Sequence, residues 1–414
     1  MPNIRLSVDY YNNIERAKFQ GFPNVNILNE LVDRNISIPK DEFLTYMLFT
    51  DQDDNYEGYR DYFEISYNIN NRIGDLDRFV TFNNGSLQSR VSSSRMHDTR
   101  LTEKIGVGQG LCVVNKIHSL TAADWKKIPE TNQHSTFDFT LKASTGNNYI
   151  QVENKGSIVG DNTDNRLVRH HYSGSYGILG KKTFVRAEEA RLGIVPHGNL
   201  FYGTIGVLDE NITSIAKVWL VDPPALEIMM DPQKYKLLAR LHYYLDEFRK
   251  IGVREKIIKA LKLRIDQITY SEDYLEYDKV QLDYKYPYPF HFFMERNNFA
   301  AFNTNEAFGR IFVVNRHQKN VPFLIAFPKA LMRMIILQDF NGIINYEYIS
   351  SFMKEDVQVF IQLKDIDIFD NQLSDNFKFV FNERSKYYQA VYFGKISHTN
   401  DGKIFGILDN NKIY

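Results

Sequence analysis

A chain of 414 residues with 43% hydrophobic and 24% charged side chains can bury more than one core, so two or three domains are expected. The formal net charge of −1 excludes a strongly basic coat protein and an acidic tail, so any polyanion would have to be held by a local patch. The single cysteine, Cys112, excludes an intrachain disulfide framework and a Cys-rich zinc site, and its setting GQGLCVVN reads as a buried, inert thiol.

The N-terminal MPNIRLSVDYYNNIERAKF lacks the apolar stretch of a signal peptide, and no apolar run reaches the roughly 18 residues a membrane span needs. A cytoplasmic protein without membrane contact is expected. Residues 1–99 mix helix-like KDEFLTYMLF with strand-like YFEISYNI and read as an N-terminal accessory α/β region. At its end NNGSLQSRVSSSRMHD (83–98) is polar and aperiodic, the composition of a loop or linker. A helix is predicted from about Leu101 with Thr102 as N-cap, then a hairpin, a basic segment at 166–191, and the apolar strands NLFYGTIGVL and IAKVWLV. Asp222-Pro223-Pro224 ends that unit, because consecutive prolines cannot continue a central strand. Residues 224–269 form a basic helical segment interrupted at Gly252. Within 231–268 it carries ten Lys/Arg against five Asp/Glu. Residues 270–414 are Tyr- and Phe-rich and strand-like, as in RIFVVNRH, VQVFIQL and FKFVFNE.

The hairpin TFDFTLKASTGNNYIQVENKG (136–156) carries the chemistry. Side chains alternate on a strand, so Glu153 and Lys155 share one face and Ile150, Val152 and Asn154 the other. On the first strand Phe137, Phe139 and Leu141 are apolar and Asp138 lies opposite them. A Thr145-Gly146 turn sets Phe139 opposite Val152, Leu141 opposite Ile150 and Asp138 opposite Glu153. A Gly146-Asn147 turn sets Asp138 opposite Lys155 instead, with the faces unchanged. Facing carboxylates repel unless a cation sits between them, and hard oxygen donors suit Mg²⁺, with Mn²⁺ as a substitute. Lys155 is then near enough to orient water or offset charge on a phosphate. A solvated Glu/Lys face is the plainer alternative.

Upstream, Glu103 in LTEKIGVGQGLCVVNKIH falls in the first helical turn on the stripe of Val107, Gly110, Val114 and Ile117. An acid there could equally complement the helix dipole. Taken in order, Glu103, Asp138, Glu153 and Lys155 resemble the motif of the restriction-endonuclease-like, or PD-(D/E)xK, nucleases. The likeness covers residues 101–222, with Phe137 standing where the family's proline would be and no clear first strand between His118 and His134. It implies an α+β core at 100–223, with a mixed central β-sheet flanked by helices and accessory domains on either side. It also implies a Mg²⁺-dependent endonuclease with Asp138 and Glu153 as metal ligands and all four residues catalytic. Double-stranded DNA is the implied partner, in a restriction or anti-phage defence role by analogy, with a second copy or a defence-system protein as further partners.

Arg166, Arg169, Lys181 and Lys182 follow the acids closely and are expected to contact flanking phosphates, against the plainer reading of a solvated helix face. Of His170 and His171 at most one should matter, because adjacent residues diverge on a regular element. GSYGILGKKT fails as a phosphate loop on spacing, and GVGQG (106–110) lies inside a helix pattern. The rival function is a non-catalytic nucleic-acid- or protein-binding scaffold on a nuclease-like fold.

Overall fold

Ile4, Leu6, Val8 and Tyr10 recur at a period of two and are all buried, which makes Ile4–Tyr10 a strand (β1) with an apolar face against the core. The structure, a computed structural model, describes residues 3–49, 62–83, 85–92, 99–127, 139–142, 149–192, 200–210, 214–222, 232–270, 300–302, 307–316, 318–348, 354–361, 380–382 and 387–409. After β1 come α1 (Asn13–Phe19), α2 (Val25–Val32), β2 (Ile36–Ile38), α3 (Lys40–Phe49) and α4 (Tyr62–Phe79). Then follow β3 (Val80–Asn83), β4 (Ser86–Ser89), α5 (Thr99–His118), β5 (Trp125–Lys127), β6 (Phe139–Lys142) and β7 (Tyr149–Val159). Next are α6 (Arg169–Ser173), α7 (Ile178–Leu192), β8 (Leu200–Asp209) and β9 (Lys217–Val221).

Two compact units divide the chain: Met1–Asn55 with Asp75–Lys236, and Tyr56–Gly74 with Leu237–Tyr414. The first is a mixed nine-stranded sheet in the order β3-β4-β1-β9-β8-β7-β6-β5, with β2 on β1 and helices against it. β5, β6 and β7 form an antiparallel meander, β8 returns parallel to β7 through α6 and α7, and β9 runs antiparallel to β8. Because β1 pairs in parallel with β9, the N-terminal strands belong to this sheet, and the unit boundaries differ from the segments expected from composition.

Three local readings change. YFEISYNI is the start of helix α4, because Ile65, Ile69, Ile73 and Leu76 are buried at helical spacing. Ser86–Ser89, expected as loop, is β4, which pairs with β3 and touches β1. The first strand not legible between His118 and His134 is the three-residue β5, too short for a periodic signal. Helix α5 begins at Thr99, so Thr102 is not its cap and Glu103 lies beyond the first turn, where a dipole role weakens.

The three glycines of GVGQG give α5 its place between two layers. A Cβ on Gly106 would sit 2.3 Å from the Lys155 carbonyl oxygen, and one on Gly110 would sit 2.1 Å from Thr204 Oγ1. On the other side of the helix, one on Gly108 would meet Phe43 of α3 at 2.9 Å. Backbone atoms cannot swing aside, so Gly106→Ala should cost about 1–3 kcal/mol by forcing α5 off β7. Denaturant midpoints check this, and an unchanged midpoint would mean the spacing tolerates a methyl.

From Leu237 on, the second unit holds the rest of α8 (Pro232–Ile251) and then α9 (Glu255–Tyr270), the two helices separated at Gly252 (φ 77°) as the sequence implied. Leu237, Leu241 and Leu245 face inward. Beyond them lie β10 (Ala300–Phe302), β11 (Ala307–Arg316), β12 (Lys319–Pro328), α10 (Lys329–Leu337) and α11 (Phe340–Ile344). β13 (Lys354–Ile361), β14 (Val380–Asn382), β15 (Tyr387–His398) and β16 (Ile404–Asp409) follow. Pairing of β13 with both β10 and β15 closes six antiparallel strands into a ring, with β14 added on β15. Part of the basic character of α8 is structural. Arg240 donates to the Ile343 and Tyr346 carbonyls, and Lys250 with the fully buried Lys403 neutralises Glu247. Among the described residues no helix is long and apolar enough to cross a membrane.

Candidate active site

The observed β6–β7 register puts Phe139 opposite Val152 and Leu141 opposite Ile150, as the Thr145-Gly146 alternative required. Asp138 itself, with the turn residues, lies outside the described residues. On β7 the even-numbered side chains turn toward α5: Thr204 Oγ1 donates to Asn154 Oδ1 at 2.8 Å beneath Gly110, and Gly156 lies against the Thr102 carbonyl. Glu153 and Lys155 therefore project to the opposite face, covered by α6 and α7.

The packed core of that face is built from Tyr11, Ile178, Val185, Phe201, Ile205 and Val221. Gly203 pairs with Glu153 across the strands, and a Cβ there would fall 2.6 Å from Ile178. The bare backbone admits the first turn of α7, and one turn later the helix delivers Lys181. The Glu153 side chain is 0% exposed, and burying a carboxylate is costly unless it is charge-paired. It is paired twice. Lys155 Nζ stands 2.8 Å from Oε1 and Lys181 Nζ 2.8 Å from Oε2, with the two lysine side chains 24% and 22% exposed. The carboxylate is thus inside, while both ammoniums reach the surface.

Lys182, the next residue, goes elsewhere. It donates to Asp222 Oδ2 at 2.9 Å, and Asp222 also accepts from Lys18 at 3.0 Å. Glu15, fully buried, accepts from Lys18 at 3.0 Å, from Tyr172 Oη at 2.8 Å and from the Asp222 backbone N–H. Tyr172 stacks on Tyr11 with ring centroids 4.0 Å apart. This network ties α1, α6, α7 and the end of β9 together beside Glu153.

His171 completes the neighbourhood. Burial, then the charges of His170 and Lys155, hold its imidazole down to about 4, against a hydrogen bond to the Gly156 backbone that favours the charged form. It is neutral near pH 7 and stands by Lys155, whereas His170 is exposed. The two rings do not diverge, their centroids lying 3.9 Å apart, so it is burial and the nearness of Lys155 that single out His171.

The remaining expected residues are dispersed. Glu103 is half-buried on α5, across the opposite face of the sheet, with its stripe partners Val107, Val114 and Ile117 buried. Arg166 is 84% exposed and pairs with Asp164 at 2.7 Å, and Arg169 is exposed at the start of α6. Cys112 is fully buried, and burial pushes its thiol well up, as expected of an inert residue.

Sequence reasoning missed the ion pairs of Lys181 and Lys182, the network around Glu15, and the link from His171 to Lys155. The usable signal was the adjacency of Lys181 and Lys182, because neighbours on a helix point about 100° apart and do not share a role.

A hard divalent ion takes carboxylate oxygens, and Glu153 offers two, each now against an ammonium. Among the described residues no group of three or more His, Cys, Asp and Glu converges on one point. The donor set fits an ion only with a second acid, the role expected of Asp138. Compared with family models, with curated proteins and with solved structures, the chain matches none.

Proposed function

We propose that the unit carrying β7 is a metal-dependent nuclease core that hydrolyses phosphodiester bonds, with double-stranded DNA as the first substrate to test and restriction or phage defence as its setting. The observation that carries the reading is the buried Glu153 carboxylate with Lys155 at 2.8 Å, set against an apolar core cluster. The element order supports it: helix α5, the meander β5-β6-β7, a helical crossover, and β8 parallel to β7 follow the restriction-endonuclease-like plan. Glu153 and Asp138 would hold Mg²⁺ or Mn²⁺, and such an ion supplies Lewis acidity toward a phosphate oxygen and makes water more acidic.

The chain's own residues do the rest. Glu153 fixes the Lys155 ammonium, which offsets charge developing on the phosphate. Neutral His171 beside it can accept or relay a proton at neutral pH. Arg166 and Arg169, both exposed, are the candidates for flanking phosphates. Glu103, expected as a third acid, lies across the sheet from Glu153 and is given no part in this step.

One observation favours the alternative of a binding scaffold: Glu153 is already neutralised by two lysines, as a structural ion cluster would be. Incubation of the purified chain with plasmid and with RNA, in Mg²⁺, Mn²⁺ or EDTA, separates the two. Divalent-dependent cleavage is expected, and Lys155→Ala should lower it by about two orders of magnitude or more while the fold persists. Cleavage by Lys155→Ala at the parent rate would mean that Glu-x-Lys is a chance match, and absence of cleavage under all conditions would favour the scaffold.

A further inference from the structure

Nine large hydrophobic side chains are exposed among the described residues, and three of them, Leu167, Tyr176 and Phe184, lie on the crossover that covers Glu153. Isolated exposed apolar residues are ordinary, but a concentration beside a charged site marks a binding surface. Tyr176 is the extreme case, with its ring 91% exposed. It sits in the loop 174–177, between His171 of α6 and Lys181 of α7. That loop is pinned. Gly174 N–H donates to the His170 carbonyl at 3.1 Å, Gly177 N–H to the Gly174 carbonyl at 2.8 Å, and Lys181 N–H to the Gly177 carbonyl at 2.9 Å. A Cβ on Gly174 would fall 2.4 Å, and one on Gly177 2.8 Å, from the His170 carbonyl oxygen. The loop thus lies flat on the end of α6 and holds the tyrosine out in solvent.

We propose that Tyr176 is a base-stacking platform, and that the crossover takes a nucleic-acid strand with unpaired bases, its phosphates running past Arg169 and His170. Charge favours this occupant: residues 165–187 contain five Lys/Arg and no Asp/Glu, and Arg169 and His170 are exposed on the turn against which the loop folds. A surface without acids suits a polyanion better than the mixed charges of another protein. The ring selects the form of that polyanion. Bases in a duplex stack on one another and offer only their edges, so an aromatic face can stack only on a base that has left the duplex. A tyrosine on a fixed loop has few torsions left to freeze, which lowers the cost of binding. The platform rests on the nuclease reading and gives that site its substrate form, but stacking needs no metal and is measurable without cleavage.

The test uses the full chain in EDTA, with anisotropy of labelled oligo(dT), oligo(U) and a blunt DNA duplex. Tyr176→Ala should weaken binding of the unpaired strands about fivefold to a hundredfold, the scale of one lost base–aromatic stack, and change the duplex little. Tyr176→Phe and Tyr176→Trp should bind like the parent, because the ring face is used and the hydroxyl is not. Salt dependence should be the same in every variant, since no charge is removed. Thermal melts should not distinguish Tyr176→Ala from the parent, because so exposed a ring packs on little. A loss on oligo(dT) or on oligo(U) supports the platform and names the sugar of the strand. Parent-like affinity of Tyr176→Ala for both strands overturns the platform, as does an equal loss on strands and duplex. A parent that binds none of the three also overturns it and leaves the exposed rings to a protein partner. Binding through Tyr176 by a chain that cleaves no nucleic acid in Mg²⁺ or Mn²⁺ supports the platform and overturns the nuclease reading. Cleavage and binding that are both indifferent to Tyr176 overturn the platform and leave the nuclease reading standing.

Discussion

Glu153→Ala should destabilise the first unit by about 3 kcal/mol and abolish any divalent-dependent cleavage. Its carboxylate is the common partner of Lys155 and Lys181, and without it two ammoniums face each other over an apolar layer. Removing one member of a buried ion pair costs about 3–5 kcal/mol because the remaining charge loses its partner. The lower end applies here, since both lysines reach solvent and can swing outward. Glu153→Gln should cost less, because the amide oxygen still accepts from one ammonium. Urea midpoints measured beside plasmid assays check both effects. A parent-like midpoint for Glu153→Ala would remove the ion cluster from the energetic core, and retained cleavage would remove Glu153 from the chemistry.

His118 should make the same unit acid-sensitive. It is buried between α2 and the sheet, with Asn24 Nδ2 donating to Nδ1 at 3.1 Å and Nε2 2.8 Å from Tyr202 Oη. Asn24 fixes Nδ1 as the acceptor, so Nε2 carries the proton and the ring is neutral. Burial lowers its pKa to about 3. An unfolded histidine titrates near 6.5, so the folded value is depressed. The stabilising contribution is fully present above about pH 6.5 and is lost as pH falls toward 3, because the unfolded chain takes up the proton first. Between about pH 6.5 and 4 the loss is roughly 3 kcal/mol. Buried carboxylates add their own acid dependence, so the measurement is a difference. The drop in stability over that range should be smaller in His118→Gln than in the parent by about this amount. Identical slopes would show that His118 is protonated in the folded protein.

Periodicity and composition were enough for much of the architecture. Alternation on YIQVENKG put Glu153 and Lys155 on one face before any fold was known, because a strand has no other way to arrange them. The break at Gly252, the inward leucines of α8 and the apolar runs of β8 and β9 were legible for the same reason: each is a local pattern. Where two local patterns competed the shorter one misled, as when YFEISYNI resembled a strand although its isoleucines continue at helical spacing into Ile73.

Only the tertiary structure decided which cations meet Glu153. Lys181 is 28 residues away along the chain, and it arrives because Gly203 admits Ile178 and the following turn of α7 lies over β7. No window of sequence contains both the bare glycine and the helix that uses it. The same holds for β1, whose place beside β9 makes residues near the start of the chain part of the sheet that carries the site. The residue types of the site were therefore written in the sequence. Their pairing followed from long-range packing, which local spacing does not encode.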